Sequence, residues 1–151
     1  MLIVEDDEHK VKEITKYLEL SGLTKDDWVT TESVVDTVHY LEKNTPDKII
    51  LDMSLPSHKV QKSGSPPLSM TAGGIEVIME LRFQEKNHIP ILVLTQFPQT
   101  EINSQFFTLD ESGEKLMQVF KMENIAVNLF SNETKEETED WQKSLKKFLE
   151  I

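Results

Sequence analysis

Short apolar runs alternate along the chain with segments whose apolar residues recur at helical spacing. This alternation is typical of repeated strand–helix units, in which helices cover both faces of a parallel sheet. The third and fourth runs are continuous in Ile, Leu and Val, which predicts central strands buried on both faces. The five runs predicted to be strands are Leu2 to Val4, Trp28 to Thr31, Lys48 to Met53, Ile91 to Leu94 and Ile125 to Phe130.

Five helices are predicted from apolar stripes between and after these strands. Gly22 stands where the first helix would end, and Ser33, followed by Asp36, resembles a capping box that opens the second. We expect each stripe to face the core. The stripes are Val11, Ile14 and Leu18; Val34 or Val35, Val38 and Leu41; Ile75, Ile78 and Leu81; Leu116, Val119 and Phe120; and Trp141, Leu145, Phe148 and Leu149.

Two connections are longer than a compact fold of this kind needs. The segment 57–72 is rich in Ser and Pro, contains Lys59 and Lys62, and is predicted to be an inserted loop. The segment 96–124 contains Phe106 and Phe107, which are predicted either to be covered by the added chain or to form a contact patch. With 151 residues, the chain is predicted to form a single domain over 1–151 with these two insertions.

Composition narrows the function classes. Asp and Glu number 27 against 16 Lys and Arg, so the net charge of −11 argues against direct nucleic-acid binding and favours proteins or cations as partners. The absence of Cys excludes disulfides and thiolate metal sites, so a metal would need oxygen or imidazole ligands. No apolar run approaches the roughly 20 residues of a membrane span, and the chain is predicted to be cytoplasmic.

Polar side chains follow three of the predicted strands where each strand ends. Glu5 and Asp6 follow the first strand, Asp52 closes the third, and Thr95 follows the fourth. Ligands of open parallel sheets bind at the carboxyl ends of the strands, so we expect these groups to converge. Mg²⁺ suits such a carboxylate cluster, and an Asp beside the metal can act as a nucleophile toward a phosphoryl group. Asp7, the next residue, could belong to the same site or could cap the helix that follows.

Four stretches in order resemble the receiver domain of two-component response regulators. They are residues 2–8 (LIVEDDE), 47–56 (DKIILDMSLP), 74–77 (GIEV) and 89–95 (IPILVLT). The resemblance covers almost the whole chain and weakens after Thr95. It implies a flavodoxin-like, doubly wound α/β fold with a five-stranded parallel sheet in the order 2-1-3-4-5.

The resemblance also implies roles for individual residues. Asp52 would accept the phosphoryl group, and Thr95 would contact that group and act as a switch. Glu5, Asp6, Asp52 and the backbone carbonyl of Ser54 would surround Mg²⁺. The donor would be a histidine kinase or a phosphotransfer protein, and the output a downstream protein partner. The fourth helix, fifth strand and fifth helix would offer a homodimer surface.

The chain departs from the family pattern after the fifth strand, where receivers carry a Lys followed by Pro. Alignment on Ala126 places Asn132 and Glu133 in those positions. An amide cannot replace an ammonium as a partner of phosphoryl oxygens. Lys135 is the nearest basic residue, and Gln96 stands where a small residue usually follows the Thr.

Three functions therefore remain at this point. The first is a phosphoacceptor receiver, acting as a single-domain regulator, as a carrier, or as part of a longer protein. The alternative is a pseudo-receiver that binds partners but no longer switches on phosphorylation, which Asn132 and Gln96 favour. A Mg²⁺-dependent phosphatase ranks last, because its expected second Asp is Ser54 here, so we expect a signalling domain and not an enzyme.

Overall fold

The computed structural model describes residues 1–59, 69–70 and 73–151. Nine strands and five α-helices are found in this part of the chain, together with a short 3-10 helix at Lys25–Asp27. The strands are β1 Leu2–Val4, β2 Val29–Thr31, β3 Ile49–Leu51, β4 Leu55–Pro56, β5 Ser69–Met70, β6 Ile91–Thr95, β7 Gln99–Ile102, β8 Gln105–Thr108 and β9 Ile125–Leu129. The helices are α1 Glu8–Leu20, α2 Val34–Lys43, α3 Gly73–Phe83, α4 Leu109–Phe120 and α5 Lys135–Leu149.

Five strands form one parallel sheet in the order β2-β1-β3-β6-β9. All of its pairings are parallel, with Val4 beside both Thr31 and Leu51, and Leu51 beside Val93. Counting only the strands of this sheet, the order is 2-1-3-4-5, so the predicted topology is confirmed. The five apolar runs of the sequence correspond to these five strands within one or two residues at each end.

Helices cover both faces of the sheet because alternate strand residues point to opposite sides. One core cluster contains Ile3, Ile50 and Leu92 together with apolar residues of α1 and α5. The other contains their strand neighbours and apolar residues of α2, α3 and α4. The sheet is therefore doubly wound, and the carboxyl ends of its strands meet at one edge.

Most of the predicted helix stripes face the core, with two differences. In α2 the buried positions are Thr37 and Leu41, whereas Val35 is 43% exposed. In α1 the buried positions are Lys10, Ile14 and Leu18, and the predicted Val11 is only half-buried. Lys10 thus occupies the buried position in the first turn of α1 that was predicted for Val11. The charge of this buried lysine determines the chemistry of the candidate site.

Both long connections contain more regular structure than predicted. At the edges of the first, β4 and β5 pair as short antiparallel strands, while residues 60–68 and 71–72, including Lys62, lie outside the described residues. In the second, β7 and β8 form an antiparallel hairpin ahead of α4. Phe106 on this hairpin is 67% exposed, whereas Phe107 packs against the core. The prediction that the added chain covers these residues is therefore correct for Phe107 and wrong for Phe106. Within the described ranges, we find no helix long and apolar enough to cross a membrane.

Candidate phosphorylation and metal site

Three carboxylates meet at the carboxyl edge of the sheet, and we refer to them as the acidic cluster. Glu5 and Asp6 directly follow β1, and Asp52 directly follows β3, the strand beside it. One oxygen from each of the three side chains lies within 4.8 Å of the others. Glu5 is 2% and Asp52 7% exposed, whereas Asp6 is exposed. The sequence prediction that these residues converge is confirmed.

The start of α1 fixes the position of Glu5. The side chain of Asp7 caps the helix by accepting a hydrogen bond from the Lys10 backbone N–H at 3.0 Å. The backbone N–H of Asp7 in turn donates to Glu5 Oε1 at 3.0 Å. Asp7 is thus the helix cap, as one interpretation of the sequence proposed, and the same turn holds a carboxylate of the acidic cluster.

Lys10 supplies the cation of the site. Its Nζ lies 2.6 Å from Glu5 Oε2 and 2.9 Å from Asp52 Oδ1, and it also donates to the backbone carbonyl of Leu94 on β6. The side chain is 2% exposed, and its ammonium lies 5.4 Å from the centre of the Phe130 ring. The ammonium donates hydrogen bonds to Asp52 Oδ1 and to the Leu94 carbonyl, and its contact with Glu5 is an ion pair. A buried charge is tolerated only when it is paired in this way.

Burial raises the pKa of two carboxylates of the cluster, Glu5 and Asp52. Loss of hydration raises the pKa of Glu5 from 4.5 to about 7; the neighbouring Lys10 charge opposes this shift and the Asp52 charge adds to it. Burial likewise raises the pKa of Asp52, against the attraction of Lys10 and a hydrogen bond from the Ser54 backbone. With Lys10 charged, three ionised carboxylates leave two negative charges uncompensated, which matches the charge of a divalent cation.

The segment after β3 places Asp52 through close backbone contacts. The Ser54 N–H donates to Asp52 Oδ2 at 3.2 Å, and the Gly74 N–H at the start of α3 donates to the Met53 carbonyl at 2.9 Å. A Cβ atom on Gly74 would lie 2.7 Å from the Asp52 carbonyl oxygen and 2.8 Å from Met53 Cα. Only glycine permits α3 to approach this closely, so α3 supports the backbone that carries Asp52.

Thr95 is the last residue of β6, the strand that pairs with β3. It is 1% exposed, and its hydroxyl oxygen accepts a hydrogen bond from the Phe97 N–H at 3.2 Å. The preceding residue, Leu94, provides the carbonyl to which Lys10 donates. Gln96, by contrast, is exposed and lines an open surface pocket with His9 and Asn132. The backbone of β6 thus reaches the site at Leu94, next to Thr95, and the contact of the Thr95 hydroxyl with a phosphoryl group stays a prediction.

Asn132 has a structural role in the segment before α5. Its Oδ1 accepts hydrogen bonds from the Thr138 hydroxyl and from the indole N–H of Trp141, both at 3.1 Å. Lys135, the basic residue nearest to it in sequence, is 91% exposed and lies 3.7 Å from Glu139. The side chain that contacts Asp52 is instead Lys10, from the opposite end of the chain.

Sequence reasoning missed Lys10, although a signal was present. Lys10 precedes Ile14 by four residues and Leu18 by eight, so all three lie on one face of α1. The stripe was predicted to begin at Val11 because a lysine in the first turn of a helix is ordinarily solvated. Three acidic side chains at the adjacent strand ends are what make a buried ammonium tolerable at this position.

The sequence matches a known protein family and a characterised relative. Residues 1–113 match the response regulator receiver domain family. The chain is 35% identical over 149 residues to the Detocs response regulatory protein DtcB of Vibrio alginolyticus, covering 99% of this chain and 98% of that protein.

Solved structures show the same fold at lower identity. The phosphorylated cyanobacterial phytochrome response regulator RcpA superposes with a TM-score of 0.60 at 18% identity, covering 98% of this chain and 91% of that one. The receiver domain of the sensor histidine kinase PA1611 from Pseudomonas aeruginosa PAO1, solved with a magnesium ion in its active-site cleft, gives 0.56 at 19% identity, covering 99% and 96%. The sheet order, the acidic cluster at its carboxyl edge and the sequence matches lead to one conclusion: the chain belongs to the response regulator receiver domain family.

Proposed function

We propose that this receiver domain accepts a phosphoryl group on Asp52 in a two-component phosphorelay and signals through protein–protein contacts. The observation that carries the proposal is the acidic cluster, in which Asp52 lies with Glu5 and Asp6 around a common point and against a buried ammonium. A histidine kinase or a phosphotransfer protein would be the donor. The chemistry needs no further cofactor than a divalent cation.

The donor set of the cluster fits Mg²⁺, an ion that prefers carboxylate and carbonyl oxygens. Asp6 is the exposed member, while Glu5 Oε1 accepts a hydrogen bond from the Asp7 backbone and Glu5 Oε2 is paired with the Lys10 ammonium. Asp6 and Asp52, with Glu5 and the Ser54 carbonyl, would hold the ion. When bound, Mg²⁺ supplies positive charge for the oxygens of the incoming phosphoryl group.

The hydrogen bonds to both oxygens of Asp52 support its proposed role as the nucleophile. In the transfer step, an Asp52 oxygen forms a bond to phosphorus while the bond between phosphorus and the donor's imidazole nitrogen breaks, and the nitrogen keeps the electron pair. The contacts from Lys10 and from the Ser54 N–H fix the orientation of the carboxylate. Thr95, at the end of β6, would donate a hydrogen bond from its hydroxyl to the transferred group.

The experiment is incubation with acetyl phosphate and Mg²⁺ followed by intact-mass measurement. We expect one phosphoryl adduct on the wild-type protein and none on Asp52→Asn. Asp47→Asn is the matched control, because Asp47 is an exposed carboxylate outside the cluster. An adduct that survives Asp52→Asn, or no adduct on the wild-type protein, contradicts the proposal.

A second function is favoured by the contacts of Asn132. Because its amide oxygen is held by Thr138 and Trp141, the segment before α5 has a fixed structure that does not depend on Asp52. A pseudo-receiver of this kind would bind its partner constitutively. Partner affinity that is unchanged by Asp52→Asn and by beryllofluoride supports this alternative, whereas a phosphorylation-dependent change in affinity excludes it.

A further inference from the structure

The cation that touches Asp52 comes from α1. Lys10, on the third residue of that helix, brings its ammonium to 2.9 Å from Asp52 Oδ1 and 2.6 Å from Glu5 Oε2. We propose that Lys10 is a catalytic residue of the phosphorylation site, whose ammonium pairs with the phosphoryl group on Asp52 and reports its presence. This inference rests on the proposed function, since it requires a phosphoryl group at Asp52.

Charge balance supports this role. Transfer replaces one carboxylate charge on Asp52 by about −1.5 to −2 on the phosphoryl group, so negative charge in the cluster increases. The Lys10 ammonium is already in hydrogen-bond contact with the acceptor carboxylate and is shielded from water. A charge-assisted hydrogen bond to a phosphoryl oxygen is stronger at such a buried position than at the surface.

Lys135, the basic residue nearest to Asn132 in sequence, lies on the surface of α5 and not at Asp52. Lys135 is 91% exposed, and its Nζ lies beside Glu139 on the surface of α5. Asn132 uses its amide oxygen to hold Thr138 and Trp141. Among the described residues, the ammonium group in contact with Asp52 is that of Lys10, and its side chain lies among the ends of β1, β3 and β6.

The surroundings of Lys10 also connect it to α5. Its ammonium lies 5.4 Å from the centre of the Phe130 ring, and that ring lies 5.0 Å from the ring of Trp141, centre to centre. To reach a phosphoryl oxygen, Lys10 must give up part of its present contact with Asp52 Oδ1. Its charge then shifts relative to Phe130, and the environment of the Trp141 indole changes with it.

A structure of the wild-type protein with Mg²⁺ and beryllofluoride, a phosphoryl mimic, tests the proposal without any substitution. We expect Lys10 Nζ within hydrogen-bond distance of a fluorine atom of the beryllofluoride group bound to Asp52. A Lys135 ammonium at that position, or Lys10 remaining on Glu5 alone, overturns the proposal.

Substitutions add a kinetic and a spectroscopic test. In a Trp28→Phe background, which leaves Trp141 as the single tryptophan, acetyl phosphate with Mg²⁺ is expected to change the fluorescence. Lys10→Met should slow adduct formation at least tenfold and abolish the fluorescence change of any adduct that forms. Lys135→Met and Lys12→Met, which remove exposed ammonium groups, should leave both unchanged.

The outcomes separate this inference from the proposed function. If the wild-type protein forms no adduct on Asp52, the proposed function fails. If the wild-type protein forms the adduct and folded Lys10→Met forms it at the same rate with the same fluorescence change, only the role of Lys10 fails. Circular dichroism and Mg²⁺ titration by calorimetry establish whether Lys10→Met is folded and keeps its metal site.

Discussion

Lys10 Nζ on α1 lies 2.9 Å from Asp52 Oδ1 at the end of β3, and 42 residues separate the two in sequence. The contact joins the first helix to the central strand through a pair of buried charges. Buried pairs of this kind contribute little net stability when intact, because desolvation offsets their attraction. Removal of one partner is costly, because it leaves the other charge buried and unpaired.

The first prediction concerns stability without metal. Lys10→Met should lower the free energy of unfolding at pH 8 by about 3 kcal/mol, because Glu5 and Asp52 lose their shared cation. Urea denaturation of protein stripped of divalent ions measures this value. Lys12→Met, an exposed neighbour on the same helix, should change it by less than about 0.5 kcal/mol. Equal effects of the two substitutions would show that the buried ion pair is unimportant.

The second prediction concerns pH. Burial raises the pKa of Glu5 from 4.5 to about 7, so the folded protein binds a proton at Glu5 more tightly than the unfolded chain does. The stability that Glu5 contributes is fully present below pH 4.5 and is lost as the pH rises through 7. At 1.36 kcal/mol per pKa unit, the loss is at most about 3 kcal/mol.

Two charged groups that face Glu5, Lys10 and Asp52, set how strongly stability depends on pH. Lys10 opposes the shift, and Asp52, whose pKa is raised in the same direction, adds to it. Urea denaturation of metal-free protein between pH 5 and 8 should show stability falling with pH, and Glu5→Gln should flatten the curve. A profile for Glu5→Gln that runs parallel to the wild type would contradict this assignment.

The sheet and the acidic cluster could be predicted from sequence because their signals are local. Continuous apolar runs such as Ile49 to Leu51 predict buried strands, and an Asp at the end of such a run marks the ligand-binding edge. The hairpin β7–β8 was missed, although Asn103 and Ser104 form a two-residue turn with φ values of 51° and 63°. Such a turn requires positive φ at both residues, and Asn-Ser is a weaker signal for it than Asn-Gly.

The position of Lys10 could not be read from a helical pattern alone. Its spacing to Ile14 and Leu18 places it on the buried face of α1, but the two carboxylates that pair with it, Glu5 and Asp52, follow β1 and β3, and a helical pattern does not show such tertiary partners. The same applies to Asn132, whose sequence position indicated only the absence of a lysine. Its hydrogen bonds to Thr138 and Trp141 follow from the packing of α5.

The third prediction concerns the metal. Asp6 is the exposed member of the acidic cluster, whereas Glu5 is already bound by Lys10 and by the Asp7 N–H. Asp6→Asn should therefore weaken Mg²⁺ binding at least tenfold in calorimetry while leaving stability without metal nearly unchanged. Asp26→Asn removes an equal exposed charge away from the cluster and should not affect Mg²⁺ affinity. Equal losses from both substitutions would indicate a general effect of net charge.

The fourth prediction concerns the contact between α3 and the loop after β3. A Cβ atom at residue 74 would overlap the Asp52 carbonyl oxygen and Met53 Cα, and neither backbone atom can move without shifting the acceptor. Gly74→Ala should cost about 1–3 kcal/mol of stability and slow phosphorylation of Asp52 by acetyl phosphate. The matched control is Glu76→Ala, at an exposed position of the same helix, which should leave the rate unchanged. A normal phosphorylation rate in folded Gly74→Ala would mean that Asp52 tolerates the displacement.

The fifth prediction separates the structural role of Asn132 from phosphorylation. Asn132→Ala removes the acceptor of the Trp141 indole N–H, and because Trp141 is fully buried this should cost about 1–3 kcal/mol of stability. Asn132→Asp retains an oxygen at the same position and should preserve most of that stability. Because neither change touches Lys10 or Asp52, both variants should form the Asp52 adduct at the wild-type rate in the acetyl phosphate assay. A rate that falls for both variants would place Asn132 in the phosphorylation site, whereas thermal denaturation that distinguishes Ala from Asp at an unchanged rate assigns it to the packing of α5.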